Sequence, residues 1–405
     1  MLRCLGSKFV LSTFLALAAL ALPGSSQAKF RVLYTFKGGS DGSGPVASLI
    51  RDAAGNLYGT TEYGGTSGFG TVFRFAPDGT ETVLYSFAGG EDGAYPAAAL
   101  IMDGSGNFYG TTVGGGNGGC EGEGCGTVFK LAPDGTETVL HAFAGGSDGS
   151  GPAAGLIMDI SGDLYGTTAA GGGTGCYSYG CGTVFKLAPD GAETVLYAFQ
   201  GGSDGGNPSA GLIADKSGNL YGTTQYGGTG GIVSAGTVFE VTPDGQEKVL
   251  WDFCSKDSCE DGEFPVAGLI RDKAGNLYGT TTWGGIVGTA FKLAPDGTLA
   301  TLHGFTDDPD GANPFGGLVM DKAGNLYGTT ESGGKECGDY GSSCGIVFRI
   351  APDGTETVLH AFRKGKGDGI LPQAGLVKDG RGNLYGTTPT LTWHSGGGTI
   401  FEITP

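Results

Sequence analysis

Apolar and polar positions alternate along this chain in short runs, and the runs recur in one fixed order. Ala97 to Met102 is apolar and is ended by Asp103-Gly104-Ser105-Gly106. Asn107 to Thr112 is a second run, followed by a glycine-rich loop. Gly126 to Leu131 alternates, Pro133-Asp134-Gly135 turns the chain, and Glu137 to Phe143 is the fourth run. Short runs rich in Val, Phe, Thr and Tyr between Asp, Gly and Pro clusters predict strands. The unit is therefore a four-stranded antiparallel meander, strands A to D. No helical period appears after residue 28.

The second run of each unit reads Asn-Leu-Tyr-Gly-Thr-Thr or a near copy, with its tyrosine at Tyr58, Tyr109, Tyr165, Tyr221, Tyr278, Tyr327 and Tyr385. A period of about 50–58 residues built from strands predicts a propeller or similar array. Leu and Tyr are adjacent in strand B, so they point to opposite faces and offer an apolar side chain to both neighbouring blades. The seventh strand C, Gly398 to Ile403, ends the chain with no strand D after it. The unpaired D strand is at the other end, where Phe30 to Phe36 matches Val83 to Phe87. The expected fold is all-β: a seven-bladed β-propeller closed by the N-terminal strand, which removes the exposed edge.

The strings Gly-Leu-Ile-Met-Asp, Asn-Leu-Tyr-Gly-Thr-Thr, Gly-Thr-Val-Phe and Ala-Pro-Asp-Gly resemble the GloVer tandem repeat of bacterial exported proteins (the choice-of-anchor repeat family). The resemblance covers essentially the whole chain after residue 28. It implies a propeller-like repeat protein of undefined activity, with a C-terminal anchor in many relatives. This chain reaches Pro405 without a hydrophobic tail, so the expectation here is a form without an anchor.

Residues 1–28 read as a signal peptide: Arg3 and Lys8, then the apolar Phe9 to Leu22, then Ser26-Gln27-Ala28. Residues 29–405 are expected to form the propeller, secreted or periplasmic and monomeric. Removing the signal leaves 21 basic residues against 41 acids, which argues against a nucleic-acid partner. Twenty of the aspartates fall at repeated turn positions, so the acidity is turn chemistry before it is a ligand field. Eight cysteines remain as local pairs, Cys120/Cys125, Cys176/Cys181, Cys254/Cys259 and Cys337/Cys344. In an exported chain these read as disulfides; zinc would need pairs from different repeats to meet.

Residues repeated seven times are expected to hold the ring, and unrepeated ones to carry function. Asp41, Asp92, Asp148, Asp204, Asp261, Asp310 and Asp368 begin an Asp-Gly-x-x-Pro motif in every D-to-A connection. They are expected to be structural, each accepting hydrogen bonds from a loop N–H or from a Thr at the end of strand B. Asp307, Asp308 and Asp310 only weakly resemble a calcium loop. No cofactor and no metal are expected. His141, His303 and His360 occupy a strand D position held elsewhere by Tyr34, Tyr85, Tyr197 and Trp251, and read as aromatic substitutes. No nucleophile motif accompanies His394.

The B-to-C loops differ in every unit. They carry Tyr63 and Phe69, Tyr177 and Tyr179, Tyr226, Trp283, Tyr340, and Trp393 with His394. The D-to-A connections on the same face add Tyr95 and Phe264. Aromatic rings among Asp, Asn, Ser and Gly on a rigid scaffold suit sugar rings or peptide strands. The expected function is a non-catalytic binding module for a glycan or protein surface, with these eleven residues as its site. The alternatives are a lyase or hydrolase at the mouth of the axial channel, and a purely structural envelope protein.

Overall fold

Each apolar run is bounded by a turn that an aspartate closes, so the chain doubles back three times per repeat. Asp52 accepts the N–H of Asn56 at 2.8 Å and the hydroxyl of Tyr58 at 3.1 Å. The same Tyr-to-Asp bond occurs in all seven repeats. The computed structural model describes residues 28–405 except 117–118, 121, 174–175, 177–178, 230–234, 335–343, 366 and 391–396. Among the described residues, the strands form seven four-stranded antiparallel sheets, each a blade. Blade 1 comprises strand A Ile50–Arg51, strand B Leu57–Thr61, strand C Thr71–Phe75 and strand D Glu81–Ser86. Blades 2 to 6 follow in order, beginning at Ile101, Ile157, Ile213, Ile270 and Val319.

Blade 7 closes the ring as expected. Its strands A to C are Val377–Lys378, Leu384–Thr388 and Thr399–Thr404, and its strand D is Lys29–Thr35 from the start of the chain. Lys29 pairs with Thr404 and Thr35 with Thr399. Every C–D pair carries a register shift at the same place, such as Val72/Phe73 in blade 1. The extra residue adds local twist to the outermost strand.

The core is distributed over the seams between blades. Leu57 packs with Phe36 and Ile400 toward blade 7, while Tyr58 packs with Phe87 and Phe129 toward blade 2. At each seam the Phe that follows strand D meets the strand C Phe of the next blade edge to face. Phe36–Phe73 centroids are 5.1 Å apart, and Phe362–Phe401 are 5.3 Å apart. The strand C ring also lies across the glycine of strand B: a Cβ on Gly59 would come within 2.8 Å of Phe73 Cζ. This explains the invariant Gly in Leu-Tyr-Gly-Thr-Thr. A side chain there would occupy the space of the ring.

A second set of seam contacts is polar and buried. The first Thr after that glycine donates to the carbonyl that leads into strand A of the next blade. Thr60 reaches Ala98 O at 3.2 Å, and Thr387 reaches Ala47 O at 3.3 Å across the closure. Blade 6 departs slightly, since Thr280 donates to Pro314 O, two residues early. We predict that Gly222→Ala, whose Cβ would meet Phe239 Cζ at 2.6 Å, destabilises the ring by about 1–3 kcal/mol through overpacking. Gly104→Ala, with nothing within 4 Å, leaves the denaturant midpoint unchanged or slightly higher. Equal midpoints for the two variants would remove the steric account of the motif glycine.

Candidate functional site

The lead-ins to strand A converge on the axis and line a cavity of about 350 Å³. Their side chains are mostly Ala, Gly, Val and Leu, and Gly155, Gly211, Gly268 and Gly375 each lie against the backbone of a neighbouring lead-in. Ser48, Ser209 and Gln373 are the polar side chains there, and Gln373 is already bonded to Glu331 at 2.7 Å. Among the described residues no acid, base and nucleophile converge on the axis.

The repeated Asp-Gly-x-x-Pro carboxylates are held by a partner that sequence reasoning missed. Tyr34 donates to Asp41 at 3.0 Å, Tyr197 to Asp204 at 3.0 Å, and Trp251 Nε1 to Asp261 at 3.2 Å. Tyr85 bonds Asp92. His141, His303 and His360 place Nε2 at 3.2, 3.2 and 3.3 Å from Asp148, Asp310 and Asp368. Loop N–H groups add to this, such as Lys37 N at 2.9 Å and Gln200 N at 2.7 Å. The strand B threonine is not the donor; Thr61 sits against Gly42 instead. The missed signal was chemical class: the strand D position is Tyr, His or Trp and never Phe, so every ring there carries a polar atom that faces the Asp.

The loop face gathers the expected aromatics into groups. Tyr179, Tyr226 and Phe264 line one cleft of about 660 Å³, with the Cys176–Cys181 disulfide and Asn207. Tyr226 and Phe264 centroids are 5.8 Å apart, while Tyr179 is 71% exposed and Tyr226 44%. Tyr63, Phe69 and Tyr95 form a second group, with Tyr63–Tyr95 at 5.7 Å and Phe69–Tyr95 at 5.8 Å. Trp283, paired through its backbone with Glu263 beside Phe264, is 53% exposed. Tyr177, Tyr340, Trp393 and His394 lie outside the described residues. Disulfides join Cys120–Cys125, Cys176–Cys181 and Cys254–Cys259, and Cys344 is also disulfide-bonded, with Cys337 outside the described residues.

Two details separate bracing from presentation. Phe69 lies on Gly89, where a Cβ would come within 2.7 Å of its ring. In blade 2 the Cys120–Cys125 disulfide covers the equivalent Gly145, so Phe69 serves as a brace. Phe264 and Tyr95 are different: their φ angles are +56° and +61°, the left-handed region that bulky residues avoid. Blades 1 and 3 use Gly44 and Gly151 at this position, with φ of +69° and +63°. Strain of about 1–3 kcal/mol held at a residue where Gly would serve marks a candidate functional position.

The Gloeobacter/Verrucomicrobia repeat matches residues 23–178 and 174–401. No curated protein sequence matches the chain. The extracellular domain of a proposed hybrid two component system from B. thetaiotaomicron is similar over 90% of this chain, at 11% identity and TM-score 0.56. The extracellular domain of a proposed one component system from the same organism is similar over 91%, at 11% identity and TM-score 0.51. This chain spans only 39% and 40% of those two domains, and the likeness is one of fold. A proposed gluconolactonase is similar over 93% of this chain and 91% of its own length, at 15% identity and TM-score 0.42.

The seam carboxylates give the ring a pH signature. Burial, and then the charge of the seam aspartate in all five, pushes Glu81, Glu137, Glu193, Glu247 and Glu356 up to about 7. A raised folded pKa means that their contribution is full below the ordinary 4.5 and is lost as pH rises through about 7. Burial, and then Arg363, pushes His360 down to about 4, so its single contribution runs the other way and is lost below 6.5. In the turn aspartates such as Asp52, burial alone would raise the pKa, and hydrogen bonds from Asn56 and Tyr58 outweigh it. Those contributions are lost only below the ordinary 3.8. Thermal melts should therefore peak at about pH 5 and fall toward pH 8. Changing all five glutamates to glutamine should flatten the decline; an equally steep decline in that variant would refute this account.

Proposed function

The chain belongs to the Gloeobacter/Verrucomicrobia repeat family, and we propose that it is a non-catalytic binding module that takes a saccharide on its loop face. The observation that supports this reading best is the cleft formed by Tyr179, Tyr226 and Phe264. Its volume of about 660 Å³ falls in the range of small-molecule sites. Exposed aromatic rings present flat apolar faces that suit the C–H faces of a pyranose. The Asn207 side-chain amide and the Tyr179 and Tyr226 hydroxyls make no hydrogen bond to another described residue. They are free to meet sugar hydroxyls. The scaffold below is stiff, which limits the entropy lost on binding.

Disulfides on this face persist in oxidising compartments, so the module acts in the periplasm or outside the cell. The likeness to extracellular domains is compatible with that placement. Trp283, whose backbone pairs with Glu263 beside Phe264, adds a further exposed ring next to the cleft.

Affinity electrophoresis against neutral polysaccharides and soluble peptidoglycan fragments provides the test. Phe264→Gly places at this position the residue that blades 1 and 3 use, so its melting temperature should equal or exceed that of the parent. Its retention, and that of Tyr226→Ala, should fall about 2- to 10-fold per ring lost. Full retention in the Tyr179→Ala/Tyr226→Ala/Phe264→Gly variant would exclude the cleft as the site.

A further inference from the structure

Ring closure brings chain positions far apart in sequence to one seam, on the face opposite the aromatic loops. There a cleft of about 610 Å³ opens between blades 7 and 1. Arg31, Arg51 and Arg381 converge on it, in a chain whose net charge is −18. Arg31 and Arg381 depart from the repeat, whereas Arg51 recurs once, as Arg271 of blade 5. Arg381 stands where the other units have Ala54, Ser105, Ser161, Ser217, Ala274 and Ala323. Arg31 stands where four units have Thr, and Arg51 where three have Met. By the logic that separates scaffold from site elsewhere in the ring, Arg31 and Arg381 are site residues, and closure sets Arg51 beside them.

The hydrogen-bond inventory points to the missing partner. Glu402 accepts Arg31 Nη2 at 2.7 Å, Arg31 Nε at 3.2 Å and the Tyr385 hydroxyl at 3.1 Å. Asp379, 8% exposed, accepts Asn383 N at 2.9 Å, Asn383 Nδ2 at 3.0 Å and Arg381 N at 2.8 Å. Asp78, exposed on the rim, accepts Thr80 N at 2.9 Å. Glu402 and Asp379 are thus committed, while Asp78 accepts one N–H at the rim. The guanidinium groups of Arg51 and Arg381 make no hydrogen bond to another described residue, and each carries five N–H donors. Arg51 feels Asp379 electrostatically, and Arg381 is exposed. What these two groups lack, among the described residues, is a bonded acceptor. Its floor of Leu57, Phe75 and Pro77 would take an apolar body.

We propose that this cleft is a second binding site, for a small organic anion that presents a carboxylate or phosphate group to Arg51 and Arg381. Planar guanidinium groups pair with both in bidentate fashion. The site is separate from the aromatic face and does not depend on the saccharide reading.

The repeat itself supplies variants that leave the fold intact. R51M installs the residue of blades 2, 3 and 6, and R381S that of blades 2, 3 and 4. Titration calorimetry of the full chain with glucuronate, glucose 6-phosphate and glucose, alongside thermal melts, tests the proposal. The expected result is binding of one or both anions but not of glucose, weakened about tenfold or more in R51M/R381S at an unchanged melting temperature. Raising salt should weaken it as well, and Tyr226→Ala should not. Which anion binds identifies the group recognised. Absence of binding by both anions, equal binding of glucose, or full affinity in R51M/R381S would overturn it.

Discussion

Each blade meets its neighbour through a strand C phenylalanine that lies across the glycine of its own strand B and takes the edge of a phenylalanine from the blade before. Gly386 and Phe401 repeat this at the closure, where a Cβ would come within 2.5 Å of the ring. An edge-to-face pair is worth about 0.5–1.5 kcal/mol beyond its buried area, and the ring has one at every seam. Because no blade has a core of its own, each depends on both neighbours. The N-terminal strand matters for the same reason: Phe36, which follows it, is the partner of Phe73.

That dependence sorts the residues. Positions that build a seam must recur, and they do: the motif glycine, its Thr latch, and the Asp with its strand D donor. Where a seam position changes, the chemistry changes with it. Leu299 is buried where five other units have Glu, and Phe30 stacks on His360 at 3.6 Å in the last of them. The residues left over by this rule fall on two faces, aromatics on the loop side and arginines on the turn side. Neither set is needed to close the ring.

Strands, blade count and closure were legible in the sequence because a period of two, repeated in seven copies, averages out local exceptions. The opposite orientations of Leu57 and Tyr58 followed from adjacency alone. The donor to Asp41 was not legible, because Tyr34 lies seven residues away and was grouped by ring rather than by its hydroxyl. Phe69 looked like a ligand contact until its position over Gly89 showed that it replaces a disulfide. The left-handed backbone of Phe264 leaves no trace in residue type, since Tyr, Phe, Leu, Asn and Gly all occur there. The arginine cleft was hidden for a topological reason: Arg31 and Glu402 are 371 residues apart and meet only through closure.

Native-state amide hydrogen exchange reads the seam dependence most directly. Amides of the N-terminal strand, Lys29–Thr35, should exchange in the same slow class as strand C of blade 4, Thr237–Val241, because the closed ring opens as one unit. Exchange of Lys29–Thr35 orders of magnitude faster, with strand C of blade 4 still protected, would contradict the account.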